Sequence, residues 1–101
     1  IWVAHGEGKF SFPAQNGAPD WSKFKVAVRY NYNTYPGNPN GSPNAIAGVV
    51  SADGRHLAMM PHPERCLRPW NWAYYGGDAM DEVTPWVYMF IAARQWCQKI
   101  K

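Results

Sequence analysis

None of the apolar runs in this chain approaches the ~18 residues that a membrane-spanning helix requires, so no membrane partner is expected. Cysteine is scarce. Cys66 and Cys97 are the two in 101 residues, and their spacing matches neither a disulfide framework nor a metal knuckle. They read as reduced thiols of a cytoplasmic protein. Charge is sparse and close to balanced, with ten basic and seven acidic residues and a net charge of +3. The basic residues form no stripe. Three of them (Arg94, Lys99 and Lys101) fall at the C-terminal end, where they complement a helix dipole. A nucleic-acid partner is therefore not expected. No glycine-rich loop opens a helix, which leaves no phosphate cradle, and His5, His56 and His62 lack the spacing of metal ligands. Repeats, low-complexity tracts and heptad arrays are missing as well. No secretory leader is visible, and the first residue is Ile1, as expected of a processed product or a segment of a longer protein.

What the chain does have is apolar and aromatic surface. Hydrophobic residues make up 47% of it, which excludes a disordered chain. Its length allows one domain, or part of one, with a small core. Six tryptophans raise the aromatic content to 16%, and aromatics of this number serve first as core or interface.

The apolar stretch Ile1–Ala4 reads as a short buried strand running into the turn His5-Gly6-Glu7-Gly8, with Lys9–Phe12 returning as a second strand. Residues 13–22 are loop by composition. From Phe24 to Tyr32 the pattern alternates, with Phe24, Val26, Val28, Tyr30 and Tyr32 on one side, which predicts a half-buried strand. The segment 33–44 is dense in Pro, Gly and Asn, and its side chains are expected to bond their own backbone in a rigid loop. Ala45–Ser51 is the next strand, Ala52-Asp53-Gly54-Arg55 an Asp-Gly hairpin turn, and His56–Met60 the returning strand. Cys66–Val83 is long, irregular and rich in Trp and Tyr. Thr84-Pro85 reads as a helix start with Thr as N-cap, and Trp86, Phe90, Ala93, Cys97 and Ile100 then make one apolar face. The expected architecture is α/β: several mostly antiparallel strands plus one C-terminal helix.

The returning strand leads into Pro61-His62-Pro63-Glu64-Arg65. In extended backbone, residues two apart point to the same side, so His62 and Glu64 are placed to meet. The prolines stiffen the segment. A carboxylate on one imidazole nitrogen fixes the tautomer and leaves the other nitrogen free to take a proton from a nucleophile. The pair has the form of two thirds of a catalytic triad. On residues alone, a structural or solvated His-x-Glu stays open beside a catalytic one.

Pro61-His62-Pro63-Glu64, following Leu57-Ala58-Met59-Met60, resembles the His-Pro-Glu signature of the class I glutamine amidotransferases. Val3-Ala4-His5-Gly6-Glu7-Gly8 resembles the stretch before the last strands of that glutaminase domain. Asn38–Gly48, together with Pro85-Trp86, Met89-Phe90 and Ala93-Arg94, is similar to the glutaminase domain of a purine-biosynthetic ligase in its long, fused form. The resemblance implies that the chain is the C-terminal portion of a flavodoxin-like domain. It implies a Cys-His-Glu triad in which His62 is the general base and Glu64 its orienting carboxylate. His5, Gly6 and Glu7 would line the glutamine pocket, although a glycine-flanked turn with a solvated Glu accounts for them equally well. No cofactor is implied for these residues; ATP and Mg²⁺ would belong to the synthase domain of the parent enzyme. The implied partners are glutamine and the remainder of the parent polypeptide.

The nucleophile has no candidate. The family's cysteine sits on a strand-turn-helix elbow, whereas Cys66 lies between Arg65 and Leu67-Arg68-Pro69 with no helix N-terminus to lower its pKa. Cys97 falls on the apolar helix face and is expected in the core. The nucleophile-bearing half of the domain is thus expected outside these 101 residues, and the isolated chain is expected to be inactive. The cluster Trp70, Trp72, Tyr74 and Tyr75 is expected to pack on the rest of the parent protein, and to drive self-association of the chain alone. The competing function is a stand-alone binding module that uses this aromatic loop as a stacking platform.

Overall fold

The computed structural model describes residues 3, 6–13, 20–78 and 80–100. Apart from Val3, the strand expected over Ile1–Ala4 lies outside them, as does His5. The elements are three strands, β1 (Phe24–Arg29), β2 (Ile46–Ser51) and β3 (Leu57–Met59), three short 3₁₀ turns and one helix, α1 (Val87–Lys99). The chain divides into two compact units, one spanning Val3–Pro61 and one built on His62–Lys101. Among the described residues no helix is long and apolar enough to cross a membrane. The composition is α/β, as the sequence predicts: antiparallel strands followed by one C-terminal helix.

The first unit is a three-stranded sheet in the order β1-β2-β3, antiparallel throughout. Burial alternates strictly along β1, with Phe24, Val26 and Val28 half-buried and Lys25, Ala27 and Arg29 exposed. β2 is the central strand. Its start, Ile46-Ala47, is the buried heart of this unit, and Ile46 is fully inaccessible. Gly48 lies between Val28 and Met59 in the ladder. A Cβ there would sit 2.9 Å from the Met59 Cγ and 3.4 Å from the Val28 Cβ, so glycine lets both neighbours cross the middle strand.

Three boundaries differ from the sequence pattern. β1 stops at Arg29 rather than Tyr32, because the ladder shifts register at Val28 and again at Arg29, and the Tyr30 N–H then turns to the Ala45 carbonyl at 2.7 Å. β2 begins at Ile46 rather than Ala45, because Ala45 has φ +55 and is not extended. No strand forms over Lys9–Phe12; the Phe10 and Phe12 rings stack 5.9 Å apart, and Phe12 stacks on Phe24 at 4.8 Å.

The β2–β3 hairpin closes as expected on Asp53-Gly54. The Gly54 N–H donates to the Ser51 carbonyl at 2.9 Å, and the Asp53 carboxylate accepts from the Ser51 hydroxyl at 2.6 Å and the Arg55 N–H at 3.1 Å. These bonds, the Ser51 hydroxyl foremost, hold the Asp53 carboxyl below its ordinary pKa. Gly54 has φ +75 with open space around its missing side chain. Gly54→Ala is therefore purely a conformational change, and it should lower the unfolding free energy by about 1 kcal/mol, with Gly54→Asn losing less. A denaturant titration that returns the same midpoint for the wild type and the Gly54→Ala variant would contradict it.

The loop 33–45 is built rather than loose. Asn38 is buried and joins its two arms: its amide donates to the Ser42 carbonyl at 2.9 Å and the Asn33 carbonyl at 3.3 Å, and its Oδ1 accepts the Ser42 N–H at 2.9 Å. The Ser42 hydroxyl donates to the Ile46 carbonyl at 2.6 Å. Asn40 donates to the Gly8 carbonyl at 2.9 Å, which ties residues 6–8 to the same loop.

In the second unit α1 begins two residues later than Thr84-Pro85 suggests. Trp86 is its N-cap residue, and the Thr84 hydroxyl does not cap it. The reason is that this hydroxyl bonds elsewhere. No residue of α1 is buried. Phe90, Ile91, Trp96 and Ile100 are all 43–45% exposed, and Cys97 is exposed too, which corrects its expected place in the core. The apolar stripe exists at helical spacing, but nothing among the described residues covers it.

Candidate active site

β3 ends at Met59, the Met60 N–H bonds the Ala47 carbonyl at 2.9 Å, and three residues past the strand stands His62. Its imidazole Nδ1 is 2.9 Å from Glu64 Oε1. The expected pair forms, by a different local route from the one alternation suggests. His62 is extended (φ −108°, ψ 90°), but Glu64 lies inside a 3₁₀ turn, Pro63–Arg65. Pro63 supplies the cause: its fixed φ suits a first helical position, and its missing N–H costs nothing there. The Arg65 N–H then donates to the His62 carbonyl at 3.0 Å and the Cys66 N–H to the Pro63 carbonyl at 2.9 Å.

The geometry has the parts that general-base chemistry needs. Nδ1 is engaged by the carboxylate, and Nε2 has no hydrogen-bond partner among the described residues. The His62 side chain is 35% exposed and that of Glu64 54%, so a reactant has access. The Glu64 carboxyl is held below its ordinary value of 4.5, first by its own backbone N–H and then by the His62 hydrogen bond. Because the folded-state pKa is depressed, the pair's contribution is present above the ordinary carboxylate titration and is lost as pH falls through the lowered value. A carboxyl-carbon NMR titration should place the Glu64 midpoint below 4.5; a midpoint at or above it would show that the contact does not hold the charge.

Behind the pair the backbone is pinned. The Cys66 carbonyl accepts the Thr84 hydroxyl at 2.5 Å and the Trp72 indole N–H at 2.9 Å. The Thr84 N–H donates to the Leu67 carbonyl at 2.8 Å, and Arg68 Nη1 to the Glu82 carbonyl at 2.8 Å. Segment 66–68 is thereby laced to 82–84. Thr84 and Cys66 are both buried. In the sequence, Thr84 carries only a helix-start signal, and no local pattern marks Trp72 as its companion.

Cys66 follows the 3₁₀ turn with its thiol buried, and Cys97 lies in α1; neither occupies a strand-turn-helix elbow. Gly6 and Glu7 are exposed. Gly6 has open space where a Cβ would stand, so close packing does not demand glycine at that position. Among the described residues no group of three or more His, Cys, Asp or Glu is placed to hold a metal ion. The aromatic cluster divides. Trp72 and Tyr75 meet edge to face at 5.3 Å, and the Tyr75 hydroxyl donates to Asp81 at 2.6 Å. Trp70 and Tyr74 are 75% and 84% exposed, with the Arg68 guanidinium 5.7 Å from the Trp70 ring centre.

Residues 1–97 match the CobB/CobQ-like glutamine amidotransferase domain family. The chain is 49% identical to phosphoribosylformylglycinamidine synthase of Homo sapiens over 95% of its length, and 43% identical to that of Drosophila melanogaster over 97%. It is 43% identical to the Saccharomyces cerevisiae protein of the same name over 95% of its length. In each case the chain spans 8% of the relative's own length.

Proposed function

We propose a function on a plain premise: the chain belongs to the CobB/CobQ-like glutamine amidotransferase domain family. In it His62 is the general base of a Cys-His-Glu triad and Glu64 the carboxylate that orients it. The observation that carries this is the 2.9 Å Nδ1–Oε1 contact with Nε2 left unbonded. The thiol comes from a part of the polypeptide outside these residues. His62 Nε2 takes its proton, the thiolate attacks the glutamine amide carbon, and the same imidazolium returns the proton to the departing ammonia. A water then loses a proton to His62 and releases glutamate from the acyl-enzyme. Glu64 holds the ring in the tautomer that presents Nε2 and stabilises the imidazolium without taking its proton.

By likeness to its relatives, the whole polypeptide is a glutamine-dependent ligase of purine biosynthesis, cytoplasmic, that passes this ammonia to formylglycinamide ribonucleotide. His5, Gly6 and Glu7 contribute to the glutamine pocket, with the exposed Gly6 and Glu7 available to a ligand. ATP and Mg²⁺ do not fit the residues present, which offer neither a phosphate cradle nor a metal-donor cluster among those described. No step in this chain runs through them, and they belong to another domain. The partners are glutamine and the remainder of the polypeptide, for which the uncovered face of α1 and the exposed Trp70 and Tyr74 are available surface. The test is His62→Gln in the full-length polypeptide, assayed with glutamine and separately with ammonia. Loss of the first reaction with retention of the second is expected; retention of both would overturn the assignment.

A further inference from the structure

We propose that Thr84 is a positioning residue for the His62–Glu64 pair, acting through the Cys66 carbonyl; this rests on the catalytic reading of that pair. A threonine ahead of a helix ordinarily spends its hydroxyl on the cap. Thr84 does not. It is buried to 1% exposure, and its Oγ1–H reaches back 18 residues to donate to the Cys66 carbonyl at 2.5 Å. Trp72 Nε1–H donates to the same oxygen at 2.9 Å, so both acceptor positions of one carbonyl are filled from two different segments. The Thr84 N–H holds the next carbonyl, Leu67, at 2.8 Å.

The clamped peptide adjoins the 3₁₀ turn that carries the carboxylate. The Cys66 N–H closes that turn on the Pro63 carbonyl, and the Arg65 N–H closes it on the His62 carbonyl. Glu64 lies between the two closures, and its side chain is exposed, so packing does not fix it. What fixes its origin relative to His62 is the backbone, and the backbone is fixed from behind by Thr84 and Trp72. Two hydrogen bonds to one buried carbonyl are strong because water cannot compete for it.

The experiment uses the full-length polypeptide with Thr84→Val, which keeps the shape and removes the donor, and Thr84→Ser, which restores it. For Thr84→Val, kcat with glutamine should fall about tenfold to a hundredfold, the loss that a misplacement on the order of 1 Å brings. KM for glutamine and the rate with ammonia should be unchanged, and Thr84→Ser should recover the wild-type kcat. A Thr84→Val enzyme with wild-type kcat overturns the proposal, as does a fall that Thr84→Ser does not repair. Should Thr84→Val lose both reactions through misfolding, Trp72→Phe decides. It removes the second donor and keeps an aromatic ring, and a selective fall in glutamine-dependent kcat supports the clamp while wild-type kcat overturns it. His62→Gln in the same series separates the two failures. If it retains glutamine turnover, the catalytic reading itself is wrong. If it loses that turnover while Thr84→Val does not, only the clamp is wrong.

Discussion

Replacing His62 with Gln should lower glutamine-dependent turnover of the full-length polypeptide by about 10²- to 10⁴-fold, the share that a positioned general base supplies. Gln can still hydrogen-bond the Glu64 carboxylate across the turn, but it has no basic nitrogen to take a thiol proton. Binding of glutamine is therefore expected to survive while kcat falls. Ammonia added from outside enters after the step that His62 serves, so the ammonia-dependent reaction should not change. The isolated 101-residue chain adds a second arm. Neither of its cysteines occupies an elbow, and Cys66 is buried, so it should hydrolyse glutamine no faster than its own His62→Ala variant. Turnover above that variant would mean that a nucleophile is present in these residues after all.

Asn38→Ala is expected to cost about 2–4 kcal/mol, the sum of three hydrogen bonds of a buried amide at ~1 kcal/mol each and the penalty of leaving the Ser42 N–H unsatisfied. The effect should exceed what one loop residue ordinarily brings, because the loop stores strain that Asn38 helps to hold. Asn44 and Ala45 are consecutive non-glycine residues at φ +52 and +55. They are held by Arg29 Nη1 on the Asn44 carbonyl at 2.5 Å, Tyr30 N–H on the Ala45 carbonyl, and Ala45 N–H on the Ser42 carbonyl. Ser42 is the residue Asn38 grips from both sides, and Ile46, the centre of the core, follows Ala45 directly. Amide hydrogen exchange over residues 38–46 should accelerate along with the fall in stability. A loss within ~0.5 kcal/mol, the range of ordinary surface substitutions, would show that the loop does not depend on this side chain.

The sequence by itself determined whatever depends on neighbours along the chain. Alternation over Phe24–Arg29 marked β1 and its buried side, Asp53-Gly54 marked the hairpin, and the turn formers of 33–44 marked a self-bonded loop. The His62–Glu64 contact was legible too, since the residues are two apart and proline-flanked, although Pro63 makes the turn 3₁₀ and not extended. Tertiary structure decided what depends on distant partners. It ended β1 at Arg29, because Tyr30 finds Ala45, a residue 15 positions away in a left-handed conformation that no local pattern announces. It took the Thr84 hydroxyl from the helix cap and gave it to the Cys66 carbonyl, because a buried carbonyl needs a donor more than a solvated helix end does. It also left Cys97 and the apolar face of α1 in the open, because periodicity shows that a helix has a face to bury but not whether this stretch of chain contains the surface that buries it.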